Sequence, residues 1–143
     1  MRISFAWPSA EWSIFDVGVG YRNALAKAGC EIRDFKLYNH LKYISRALNM
    51  EPTAENLSEL CRHACHTLVA DALEFDADWI VIISALAFHP NGAYLARRDG
   101  FKIAAVFSES PYDDEGQEYF AGLDVPIRGT NRVTKLCDVV ATN

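Results

Sequence analysis

The chain has 143 residues, half of them hydrophobic and 23% charged, with a formal net charge of −5 and a pI near 5.3. This is a globular composition, and an acidic balance without any basic run excludes a nucleic-acid backbone as partner. Ile3 to Trp7 is too short for a signal-peptide core, and the longest apolar stretch, Trp79 to Phe88, is about half of the ~20 residues that a membrane span needs; the protein is expected in the cytoplasm, with no membrane span.

Apolar runs alternate with helical periodicity along the chain, which predicts an α/β domain: a Rossmann-like, doubly wound, mainly parallel sheet of about five strands over residues 1–143. Arg2 to Trp7 reads as strand one, followed by a long polar and aromatic loop from Pro8 to Asp16. Val17, Tyr21, Leu25 and Ala28 are spaced for one helical face, and Gly29 follows as a terminator. Strand two is Cys30 to Lys36. Leu41, Ile44 and Leu48 mark a helix within Tyr38 to Met50, Glu51-Pro52 breaks it, and Thr53 is expected to cap a long helix reaching Phe75. These two helices would form the crossover to strand three. Asp78 to Ser84 carries four β-branched residues without alternation, as a central strand buried on both faces does. Ala85 to Pro90 is a loop, Asn91 to Arg98 a short helix closed by Gly100, and Lys102 to Ser108 strand four. Leu123 to Arg132 has the composition of an irregular segment, and Cys137 to Thr142 reads as strand five. The chain stops at Asn143 before any covering helix, which suggests a fragment.

The four cysteines, at positions 30, 61, 65 and 137, lack the dense spacing of a disulfide framework. Cys61 and Cys65 share a helical face with Leu57, Leu60, Ala64, Leu68 and Ala72, whereas His63 and His66 point away from it. The cysteines are therefore read as small core residues, and no metal site is expected.

Strand C-termini are where α/β sheets place ligands, and polar groups gather at three of them. After strand one, Trp7, Ser9, Glu11 and Trp12 offer flat faces beside acceptors, the pattern of sugar-binding and nucleotide-binding crevices. Asp16 is either the N-cap of helix one or a base facing the crevice. Gly18 and Gly20 match a dinucleotide fingerprint poorly, because Asn23 occupies the third glycine position and the pair lies about ten residues beyond the strand. They either let the helix start pack tightly or let it approach a ligand. After strand three, His89 is a loop histidine or a base. After strand four, Ser110, Pro111, Asp113, Asp114 and Glu115 follow helix-start grammar, which leaves Glu109 free to project over the crevice.

The segment VFSESPYDDEGQ, residues 106–117, followed by CDVVATN resembles the N-terminal half of CgeB-like, spore-maturation-protein-type glycosyltransferases. Tyr21-Arg22, Leu25 and Gly29 are similar to that family's first helix, and Ile83 to Pro90 to its third-strand exit. The resemblance implies a GT-B architecture, in which two Rossmann-like domains face each other across the active site. On it the chain is the acceptor-side domain, not catalytic alone, and it binds no cofactor itself. The nucleotide-sugar donor and a donor-binding C-terminal domain would be its partners, and the acceptor is unknown. Glu109, His89 and Asp16 are then candidate base or positioning groups, with Trp7, Ser9, Gly18, Gly20, Tyr21, Arg22, Ser108 and Tyr112 as candidate substrate contacts. Phe120 to Leu136 is longer than that family's connection. A non-catalytic doubly wound module that pairs with a second copy or a partner chain is the alternative. A flavodoxin-like or receiver-like domain is disfavoured, because strand one ends in Ala6-Trp7-Pro8 rather than in an acidic pair and no phosphate loop follows.

Overall fold

A computed structural model describes residues 1–7, 15–53, 55–84, 88–107, 119–120, 123–126 and 133–142. In chain order the elements are β1 (Arg2–Trp7), α1 (Phe15–Lys27), β2 (Glu31–Lys36), α2 (Leu37–Ala47), α3 (Leu57–Glu74), β3 (Trp79–Ile83), α4 (Pro90–Arg98), β4 (Lys102–Phe107), β5 (Tyr119–Phe120), β6 (Leu123–Pro126) and β7 (Val139–Thr142). Five strands form one sheet in the order β2-β1-β3-β4-β7, and every neighbouring pair is parallel. This is the doubly wound α/β fold expected from the alternation of strands and helices.

The β-branched run of β3 lies at the middle of the sheet, and Ile80, Ile82 and Ile83 are fully buried. Its side chains alternate between two cores. Ile80 and Ile82 join Ala6, Phe35, Ile103, Ala105 and Phe107 under α2, α3 and α4. Val81 and Ile83 join Ile3, Phe5 and Val106 on the opposite face, where Val17, Tyr21 and Leu25 of α1 pack. Cys61 and Cys65 are 1% and 0% exposed within the α3 stripe, as their helical phase required.

When the sheet's strands are numbered consecutively, the order is 2-1-3-4-5, the flavodoxin-like variant of the doubly wound fold. The features that argued against that class concern phosphate chemistry, and they do not constrain topology. Three local readings change. Thr53 caps nothing: its carbonyl accepts from Asn56 N–H at 3.1 Å and Leu57 N–H at 2.9 Å, forming a turn that delays α3 until Leu57. Asp16 lies inside the first turn of α1, which begins at Phe15. The segment read as irregular contains β6, which pairs antiparallel with β5.

Helices α1 to α4 end alike. Gly29, Asn49, Asp76 and Gly100 have positive φ, and the following residue donates to the carbonyl five positions back, as in Cys30 to Leu25 at 3.1 Å and Phe101 to Ala96 at 3.0 Å. This closure satisfies carbonyls that the helix leaves open and turns the chain into the next strand.

Candidate functional site

The sheet reverses direction of winding between β1 and β3. The chain leaves β1 for α1 on one face, whereas it leaves β3 for α4 on the other, and the diverging exits define a crevice at the carboxyl ends of these strands. Trp7 ends β1 and Ser84 follows β3. Ser84 is 5% exposed with φ +53°, and its N–H donates to the Val106 carbonyl at 2.7 Å. A left-handed serine costs on the order of 1 kcal/mol, and it turns the chain sharply off a central strand. Among the described non-glycine residues with positive φ it is the one that does not close a helix.

On the α1 side, Trp7 packs edge-on to Phe5 with centroids 5.1 Å apart and stacks on Phe15 at 5.4 Å. Its indole N–H donates to Asp34 Oδ1 at 2.9 Å. Arg22 grips the same carboxylate through Nε at 2.8 Å and Nη2 at 2.8 Å. The guanidinium holds Asp34 below the usual carboxylate range, opposed by partial burial and helped by the indole, and Asp34 raises Arg22 in return. Gly18 is buried because a Cβ there would lie 2.8 Å from the Trp7 ring, so its role is close packing. Gly20 is exposed, and a Cβ there would meet nothing within 4 Å. Tyr21 is half-buried against the sheet and Asp16 is exposed.

On the α4 side, Pro90 occupies the first turn of α4 and His89 is its N-cap, with Nδ1 accepting from Asn91 N–H at 3.1 Å. An imidazole nitrogen that accepts carries no proton, so neutral His89 is protonated at Nε2 and donates to Ser58 Oγ, 3.3 Å away. That tautomer cannot take the Ser58 proton, which rules out a serine nucleophile activated by His89 in this arrangement. The His89 N–H donates to Cys65 Sγ at 3.2 Å, and His66 Nε2 donates to Asn91 Oδ1 at 2.6 Å. Burial lowers the His89 pKa, and the positive potentials of Arg62 and His66 lower it further. Glu59 is bound by Arg62 and by His63 at 3.1 Å, and Arg62 above all draws its carboxyl down to about 2. Burial pushes the Cys61 thiol up to about 12 and raises Cys65 as well, so neither is a nucleophile. Among the described residues no group of three or more His, Cys, Asp or Glu side chains could hold a metal ion.

The candidates thus fall into two sets on opposite faces of the sheet at one edge. Trp7, Gly18, Tyr21 and Arg22 are brought together with Asp34, and His89 stands with Ser58, Asn91 and His66. Ser9, Ser108, Glu109 and Tyr112 lie outside the described residues. Asp34, Ser58, Ser84 and Asn91 escape a reading by motif. The cap role of His89 did have a usable signal, since proline at a first helical position makes the residue before it an N-cap. A separate cavity of 330 Å³ lies at the amino ends of β3 and β4, where Lys102 Nζ sits 5.5 Å from the Trp79 ring centroid. It is at the far edge of the sheet from the crevice. No helix among the described residues is long and apolar enough to cross a membrane. No family model, curated protein or solved structure matches the chain.

Proposed function

We propose that the chain is the acceptor-side domain of a GT-B glycosyltransferase that moves a sugar from a nucleotide-sugar donor to an acceptor. The observation that carries this reading is the crevice between β1 and β3, walled on one side by the Trp7 and Phe15 stack. Stacked aromatic faces beside hydrogen-bonding groups suit a carbohydrate ring, which is apolar on its faces and polar at its rim. The similarity of residues 106–117 and of the last strand to CgeB-like glycosyltransferases supports the same reading. Donor contacts would come from a C-terminal domain, and this domain would hold no cofactor of its own.

Within the intact enzyme, Glu109 is the preferred base or positioning carboxylate, with Asp16 second. His89 would orient substrate only by exchanging its Nε2 bond to Ser58 Oγ for one to the substrate, since Nδ1 is committed to α4. The test is sugar transfer, or slow nucleotide-sugar hydrolysis, by the full coding frame. Activity is expected to fall about a hundredfold or more in Glu109→Ala, the typical loss for a general base. Wild-type activity in that variant removes Glu109, and a full frame without a second α/β domain overturns the assignment.

One observation favours a second reading, a binding module completed by another chain. Val139 is 48% exposed and lies beside Ala104 on the face that α1 covers over β1 and β3. A defined dimer in light scattering that Val139→Lys dissolves, with no nucleotide-sugar activity in the full frame, would select it.

A further inference from the structure

We propose that His89 is a pH-operated cap: the neutral imidazole closes the start of α4, and the imidazolium releases it. This rests on local geometry and is independent of the glycosyltransferase reading. In the neutral ring the two nitrogens have opposite duties, Nδ1 accepting from Asn91 N–H at 3.1 Å and Nε2 facing Ser58 Oγ at 3.3 Å. Protonation changes one duty and spares the other. Nε2 donates to the serine hydroxyl in either state, but a protonated Nδ1 confronts the Asn91 N–H donor to donor, and the cap bond is lost. The new cation also sits at the positive end of the α4 dipole.

The surroundings favour this response. The first turn of α4 has no acidic residue. From α3 the facing charged or titratable groups are Glu59, Arg62, His63, Cys65 and His66. Glu59, the carboxylate among them, is already held by Arg62 and His63. Cys65 receives the His89 N–H and stays a thiol, so it supplies no counter-charge. His66 donates to Asn91 Oδ1, a bond that its own protonation does not break. Two histidines therefore meet at Asn91, one through a bond that acid breaks and the other through a bond that acid spares. Burial, Arg62 and His66 place the transition on the acid side of the usual histidine value of about 6.5. The released element is a wall of the crevice, because His89 follows the β3 exit at Ser84.

The test is a nuclear magnetic resonance titration of the chain from pH 8 to 4.5, following the His89 ring nitrogens and the Asn91 amide. At pH 8 the ring is expected as the Nε2–H tautomer. As it protonates, the Asn91 hydrogen-exchange protection factor, corrected for intrinsic exchange, should fall about fivefold or more, which is the usual worth of an N-cap. His89→Asn, whose side chain caps without titrating, should keep protection and abolish its pH dependence, and His89→Asp serves if that variant is unfolded. His66→Gln should preserve the titration. An Nδ1–H tautomer at pH 8, protection that ignores His89 protonation, or an unchanged pH profile in the capping variants would each overturn the proposal.

Discussion

At the residue scale, two small residues that look alike in sequence do opposite things. A Cβ on Gly92 would stand 2.4 Å from the Cys65 Cβ, so α4 can lie on α3 only while position 92 has no side chain. Gly92→Ala is expected to destabilise the fold by about 1 to 3 kcal/mol, read as a lowered urea midpoint, because two helix backbones must separate. Gly20 is in an exposed helix interior with open space around it, and Gly20→Ala should instead stabilise by about 0.5 to 1 kcal/mol. If the α1 start also touches substrate, Gly20→Ala will gain stability and lose binding together, whereas loss of stability would contradict the open environment. The glycine pair at positions 18 and 20 was legible as unusual, but its division of labour was not. Which of the two faces Trp7 depends on the pitch at which α1 meets β1, and that is set by packing across the sheet. The Asp34 partnership is hidden for a similar reason, since Trp7 and Asp34 meet only through the parallel register that sets Phe5 beside Asp34.

At the scale of elements, the strands and helices were readable because burial on one face or both leaves a period in the chain. The two glycine helix ends, Gly29 and Gly100, were readable by the same logic. The ends at Asn49 and Asp76 were not, because a left-handed residue with a side chain is imposed by the strand that follows. Asn49 has φ +49°, and Met50 N–H donates to the Ser45 carbonyl at 2.9 Å. Replacing Asn49 by glycine removes the Cβ penalty without touching that bond, and should raise the denaturation midpoint by an amount worth up to about 1 kcal/mol. A destabilised Asn49→Gly would show that the asparagine side chain itself closes the helix. The delayed start of α3 has a comparable cause: Asn56 Nδ2 donates to the Glu51 carbonyl at 3.0 Å, and this bond and the turn at Thr53 hold the preceding residues out of helical geometry. Strand β6 leaves no mark in the sequence because four residues ending in a proline are too few to show alternation.

For the whole molecule, stability should fall with acid in two stages. His40 and His89 are both held below the ordinary histidine value, chiefly by burial, so the unfolded chain takes up protons first. Their contribution is present above about pH 6.5 and is lost as the pH falls through their folded values. Asp34 and Asp138 are lowered mainly by Arg22 and Arg97, and their contribution is present above about pH 4 and lost below it. These pairs are partly exposed and screened by solvent, so each step is shallow. Urea midpoints from pH 8 to 2.5 should show both steps, with Asp34→Asn removing part of the lower one. A flat profile between pH 7 and 5 would contradict the histidine placement.

The position of β1 between β2 and β3 has a consequence for how the chain comes to be folded. Arg2 N–H donates to Asp78 Oδ2 at 2.7 Å across a separation of 76 residues. At the usual pace of synthesis, about 5 to 20 residues per second, the first strand waits roughly 4 to 15 s for that neighbour. During the wait β2 can pair with one side of β1, while the other side is a bare row of amides and carbonyls next to Ile3 and Phe5. High contact order of this kind slows folding and exposes an edge to the wrong partners. Helix α1 over Ile3 and Phe5, and the pair α2 and α3 over Ala6 on the opposite face, are apolar surfaces made in the interval that can shelter that strand before its true neighbour arrives.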